Sequence, residues 1–193
     1  RLGPAAWRSG QIARRRPRPS GRPFRLPNQW VDVADAAIAI DTPNGPVALG
    51  LEGQGNLADG FNGRLALVSN RIEVGECVIA RPHANVAVSV ADLRPRFRGP
   101  LAIEAVNCTD GLAVERPLFA LDATLEPALD GWRGETAIRA ARFQAGPQRL
   151  AGIVGRLTFR GDADNTSGVV EMGSAPAAVG GFPARRTGFS AKF

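Results

Sequence analysis

The chain has no tyrosine, one histidine, one methionine and two cysteines among its 193 residues. Each scarcity removes a class of function. The single imidazole, His83, stands beside Pro82, Ala84 and Asn85, none of which is the carboxylate or thiol partner of a general base or a metal site. Cys77 and Cys108 are 31 residues apart, too few and too far apart for a four-ligand zinc site. They suit one disulfide in an oxidising compartment, or a buried pair of free thiols. No run of 18 apolar residues occurs, so the sequence holds no membrane-spanning helix. With zero Tyr and three Trp it also lacks the aromatic girdles of an outer-membrane barrel. There is no Gly-x-Ser-x-Gly elbow and no Gly-Lys-Ser/Thr phosphate loop. No catalytic residue, metal site or cofactor is assigned, and no enzymatic activity is expected.

Lysine is nearly missing as well: Lys192 is the one Lys among 24 basic residues, a bias typical of GC-rich bacterial coding. The charge is uneven. Residues 1–25 carry eight Arg and no acid, leaving 16 basic and 18 acidic residues, a net of −2, for the rest. Residues 1–22 are rich in Arg and Pro and read as an extended linker, with a short helix expected at Pro4–Ile12. Nucleic acid is not the expected partner, because only Trp7 and Phe24 flank this arm and no reading helix accompanies it.

What is present is a repeated hairpin cue. Leu57-Ala58-Asp59-Gly60-Phe61-Asn62-Gly63 is echoed by Leu129-Asp130-Gly131-Trp132-Arg133-Gly134. Each is an Asp-Gly turn, an aromatic, a second Gly and then a strand. Between Thr42-Pro43-Asn44-Gly45-Pro46, itself a turn, and Asp59, the chain alternates strictly. Val47, Leu49, Leu51, Gly53, Gly55 and Leu57 fall on one face, and Ala48, Gly50, Glu52, Gln54 and Asn56 on the other. Val31 and Val33 lead, with a slip, into Ile38 and Ile40. Further strands are expected at Ile72–Ile79, Asn85–Leu93, Leu101–Asn107, Leu112–Val114, Phe119–Leu125, Trp132–Phe143, Gln148–Phe159 and Ser167–Met172, with a single helical turn at Pro127–Trp132; the Gly- and Ala-rich residues 173–193 are ambiguous between irregular chain and a last strand. Asp162 to Gly168 has alternating Asp/Asn oxygens, but its Gly comes one place late for a calcium loop and the distal Glu is missing, so it reads as a hairpin turn. The expected fold is all-β: serial antiparallel hairpins forming an extended, curled sheet with an open apolar groove. Starting at Arg1, the chain reads as a fragment of a longer protein, with residues 23–193 as its β-groove segment.

The residues Pro23–Pro27, Val31–Ala36, Asp41–Pro46 and Gly53–Gly63 resemble the YdbH-like proteins of alphaproteobacteria, within the AsmA-like/TamB group. Arg96–Leu101 and Leu157–Gly161 are similar to later strands of the same family. The resemblance spans residue 23 to about residue 161 and is densest in the first third. It implies a periplasmic bridge anchored in the inner membrane by a preceding helix, its sheet curled into a trough that carries phospholipids between the inner and outer membranes and meets an outer-membrane protein or lipoprotein. An older dicarboxylate-transport label attached to some members does not suit a chain without a multi-span pore. The family supplies no headgroup motif. The groove residues therefore come from alternation alone: Val47, Leu49, Leu51, Leu57, Leu65, Leu67, Leu101, Ile103, Ile153, Leu157 and Phe159. The competing expectation is a structural or adhesive β-sandwich or solenoid with a closed core and no lipid cargo.

Overall fold

The computed structural model describes residues 25–162, 164–174, 177–179, 182–184 and 187–192. The Arg-rich arm at 1–22 and the helix expected at Pro4–Ile12 lie outside them. The described residues form strands and turns, without a helix, in one antiparallel sheet. The first strands are β1 (Trp30–Thr42), β2 (Gly45–Asn56), β3 (Asn62–Val68), β4 (Arg71–Val74), β5 (Cys77–Ala80) and β6 (His83–Ala91). Then follow β7 (Arg94–Ala102), β8 (Ala105–Cys108), β9 (Leu112–Glu115), β10 (Leu118–Leu125), β11 (Gly131–Ala145) and β12 (Gln148–Asp162). The last are β13 (Thr166–Ser174), β14 (Ala177–Val179), β15 (Phe182–Ala184) and β16 (Thr187–Lys192).

The sheet has two tiers. The larger runs β1-β2-β3-β6-β7-β10-β11-β12-β13-β16, and the smaller runs β4-β5-β8-β9-β11 and continues through β12 to β14 and β15. β11 and β12, 15 residues each, belong to both. A line of breaks separates the tiers at Ser69–Asn70, Arg81–Pro82, Ile103–Glu104 and Arg116–Pro117. Arg81 and Arg116 have φ of 46° and 48°, left-handed values that interrupt a strand, and each precedes a proline that cannot donate to the ladder. The backbone stays paired across the line: Ser69 N–H donates to Pro82 O, Arg81 N–H to Asn70 O, and Ile103 N–H to Pro117 O, each at 3.0 Å. Because neighbouring strands break at one level, their register is kept. Leu118 faces Ala102 below the line and Glu115 faces Ala105 above it.

The break also corrects the strands read from sequence. Ile72–Ile79 is a hairpin, β4 and β5, turning at Gly75-Glu76. Leu101–Asn107 is the end of β7 followed by β8. The apolar alternation weakens there because it changes phase by one residue: Leu67 gives way to Ile72, Leu101 to Val106, Val114 to Phe119 and Ile138 to Phe143. Above the line Ile72, Ile79, Val106, Val114, Phe143 and Leu150 form one cross-strand row. Pro127–Trp132 is not a helical turn. Leu129 N–H bonds Glu126 O at 2.9 Å, but Leu129 has φ 58°, which closes a turn instead of propagating a right-handed helix. The slip in β1 is a bulge between Val33 and Ala36. A last strand, β16, is present.

Burial is shallow. Among the described residues the cluster of buried side chains is Phe61, Val88 and Val90, packed by Leu26, Val31, Leu51, Leu57, Leu65 and Phe97 at the β2–β3 turn. That turn is tied down by Gly60 N–H to Val90 O and Leu93 N–H to Ala58 O, both 2.8 Å, and Asp59 Oδ1 accepts the Asp92 N–H. Along the crease Pro82, Pro117, Ala140 and Ile153 are buried. No large side chain among the described residues is fully buried. A second layer over the sheet would bury many.

Cys77 and Cys108 are directly opposite on β5 and β8, Cα atoms 4.0 Å apart, and are joined as a disulfide. The bond closes the loop containing β6 and β7 and so restricts the unfolded chain. Replacing both with Ser is expected to lower the unfolding free energy by about 3–4 kcal/mol in the chain-entropy account. A urea midpoint equal to that of the oxidised parent would refute this.

Candidate apolar trough

In an antiparallel sheet, directly paired residues share a face. Register therefore assigns every side chain on the larger tier. One row reads Ile38, Leu49, Leu67, Ala84, Leu101, Phe119, Ile138, Gly155, Met172. The next reads Ala36, Leu51, Leu65, Val86, and onward through Gly99, Leu121, Thr136, Leu157 and Val170. A third reads Val33, Gly53, Gly63, Val88, Phe97, Ala123, Gly134, Phe159, Gly168. These rows contain no charged side chain. They cross nine strands as one apolar surface.

Of the residues expected in the groove, Leu49, Leu51, Leu65, Leu67, Leu101, Leu157 and Phe159 lie in these rows. Val47 pairs Ile40, and Ile153 pairs Ala140, on the same face nearer the crease. Leu57 lies past the end of β2 and packs on the Phe61 cluster, closing one end of the surface. Ile103 lies in the crease between β7 and β8, beside Pro117. It borders a hollow of about 500 Å³ shared with Ala102 and Leu118 of the opposite face. Sequence reasoning missed Val86, Phe97, Phe119, Leu121, Ile138, Val170 and Met172. All fell within strands expected from alternation or, for Phe97, from the family resemblance, but alternation in one strand does not say which phase matches the neighbour's.

The surface is sheltered without being covered. Most of its larger side chains are partly exposed, and at the β1 edge Ile38 and Ile40 are 57% and 40% exposed. Glycines set its shape. A Cβ on Gly63 would lie 3.0 Å from Phe61 Cε1, and one on Gly134 would lie 2.9 Å from both Phe159 Cζ and Ala123 Cα. Each glycine lets an aromatic ring lie across the strands. The repeated turn cue is thus only half a structural repeat. In the first copy the ring comes from Phe61 of the cue itself, and in the second from Phe159 on the neighbouring strand.

The opposite face is charged and exposed, and several of its arginines sit against acids. Glu52 pairs Arg64, Arg98 pairs Asp122 and Arg156 pairs Glu171. Arg96 donates twice to Asp122, Nε to Oδ1 and Nη2 to Oδ2, both at 2.7 Å, and Arg98 adds bonds of 3.1 and 3.0 Å to Oδ2. These bonds, the Arg96 hydrogen bond foremost, hold the Asp122 carboxyl below its ordinary pKa. Arg81 likewise bonds Glu104 across the crease and lowers its pKa. The turn carboxylate of Asp162 accepts the Asp164 and Asn165 amides at 3.0 and 2.9 Å, which is the role of the Asp-rich stretch first weighed as a calcium loop. Among the described residues no three His, Cys, Asp or Glu converge as metal ligands. His83 is exposed, with Nδ1 3.3 Å from Arg81 O.

No protein-family model, curated protein or solved structure matches this chain.

Two expectations follow from this geometry. Gly134→Val drives a branched side chain into Ala123 and Phe159 and should destabilise the sheet by about 1–3 kcal/mol, read by thermal or urea unfolding. Asp122, with its folded pKa lowered, stabilises the protein above the ordinary carboxyl value of about 3.9, and this contribution is lost as pH falls through the folded value. Asp122→Asn should therefore flatten the acid limb of a stability–pH profile and cost less than about 1 kcal/mol at neutral pH. An unaltered acid limb would contradict it.

Proposed function

We propose that this chain is a segment of a periplasmic bridge that carries phospholipids between the inner and outer membranes, with acyl chains lying on the uncharged face of the sheet. The observation carrying this reading is the register-matched apolar surface, nine strands wide, left half-exposed where an ordinary core would be sealed. The disulfide suits an oxidising compartment, the periplasm among them. Attachment to the inner membrane by a preceding segment, and a protein or lipoprotein at the outer membrane, belong to the same proposal.

The energetics explain why such a surface is useful. Burying a methylene is worth about 0.8 kcal/mol, so a chain of about sixteen carbons faces roughly 12 kcal/mol on entering water. A continuous apolar face removes most of that barrier at each step. Adding strands lengthens the path without changing its character. A structural module with a closed core would instead need burial like that of Phe61, Val88 and Val90 to continue across the sheet. Beyond that end burial of this depth on the apolar face falls at Thr136 and, at the crease, Ala140 and Ile153, and the larger side chains between stay partly exposed.

A photo-cross-linking residue placed at Leu49 or Leu101 should label lipid acyl chains, and one placed at Ala48 or Ala120, on the other face, should not. Native mass spectrometry of the purified chain should detect bound phospholipid. Equal labelling on both faces, or none on either, would refute the trough.

A further inference from the structure

On the charged face one row breaks the pairing of arginine with acid. Arg96, Thr124, Arg133, Arg160 and Ser167 are successive cross-strand partners, and the row contains no acid. Arg133 and Arg160 are directly opposite each other on β11 and β12. Like charges so placed destabilise a sheet. Paired positions are separated by about 4.8 Å per strand, so three guanidinium groups project along a line about 15 Å long.

The nearby carboxylates are engaged away from Arg133 and Arg160. Asp122 is held by Arg96 and Arg98. Glu135 lies 3.6 Å from Arg156. Asp162 caps its own turn. Glu126 is 3.5 Å from Arg94 and reaches Arg133 only at 3.8 Å, beyond hydrogen-bonding distance. The row lines an open hollow of about 750 Å³, to which Lys192 adds a further cation and Thr158 a further hydroxyl. Asp122 and Glu135 also line the hollow, each held by an arginine, so Arg160 and Lys192 are left there without a close carboxylate, Arg133 has Glu126 only at 3.8 Å, and neutral donors stand beside them.

We infer that this hollow is an anion site that takes a phosphate group, with Arg133 and Arg160 as its principal ligands. Guanidinium forks match phosphate oxygens in bidentate geometry, and the Ser and Thr hydroxyls supply neutral donors beside them. Bound phosphate would relieve the Arg133–Arg160 repulsion, so binding and stability are linked. The phosphate can be free in solution or borne by an anionic lipid headgroup. The site is on the face opposite the apolar rows, so it stands whether or not those rows carry lipid.

The test uses the whole chain, titrated with inorganic phosphate by calorimetry and by thermal unfolding, and sedimented with vesicles of phosphatidylglycerol or of phosphatidylcholine alone. Phosphate should raise the Tm of the parent. Arg133→Gln/Arg160→Gln should bind phosphate about tenfold more weakly or worse, while its Tm without phosphate is about 1–3 °C higher than the parent's. Arg139→Gln, on the same face but paired with Leu118 and Val154, should bind as the parent does. Selective sedimentation with phosphatidylglycerol, reversed by free phosphate, identifies a headgroup. Phosphate binding without sedimentation identifies the free ion. The site is overturned if phosphate leaves the parent Tm unchanged, if the double variant binds like the parent, or if Arg139→Gln weakens binding as much.

Discussion

The structure depends on one constraint: side chains of an extended strand alternate between two faces, and antiparallel pairing keeps the faces of neighbours in step. A slip of one residue anywhere would place leucines among arginines. From β1 to β13 of the larger tier no such slip occurs. The bulge in β1 falls between Val33 and Ala36 and leaves both residues on the apolar side. The sheet therefore separates hydrocarbon from charge with little help from a second layer, and the buried side chains among the described residues lie chiefly in one end cluster and one crease, with Val86 and Thr136 between them.

The crease shows how a single layer can bend without losing this separation. A strand that breaks alone loses its register. Four breaks at one level do not disturb it, and the left-handed Arg81 and Arg116 mark two of them. Each strand then resumes its apolar alternation one residue out of phase. The buried prolines, Ala140 and Ile153 line this fold. The disulfide lies in the smaller tier, where strands of four residues bury little apolar area and a covalent link between opposed positions compensates.

Much of this was legible in the sequence. The Asp-Gly and Asn-Gly turns, the strict alternation from Val47 to Leu57 and from Ile153 to Phe159, and the slip before Ile38 all correspond to observed elements. Misreadings concentrated at the crease. Ile72–Ile79 and Leu101–Asn107 each contain a turn or a phase change that leaves apolar residues abundant, so composition conceals it. The Pro127–Trp132 turn was misread because an i to i+3 hydrogen bond is common to turns and helices, and only the backbone angle of Leu129 separates them. Most of the residues expected in the groove lie on the common apolar face, since a leucine in an alternating strand announces its own face. Phe119, Ile138 and Met172 were missed because membership of the common surface depends on pairing.

The sequence by itself determined that the chain is all-β, that its strands are two-sided, and that its basic charge is concentrated at one end. Turn chemistry and side-chain period are local properties, readable a few residues at a time. Tertiary structure alone decided that the apolar sides of distant strands merge into one uncovered surface, that Cys77 meets Cys108, that a ring from β12 covers a glycine of β11, and that Arg133 stands against Arg160. Each of these depends on register between segments far apart in the chain, and hydrogen-bonded pairing sets that register only when the whole sheet has formed.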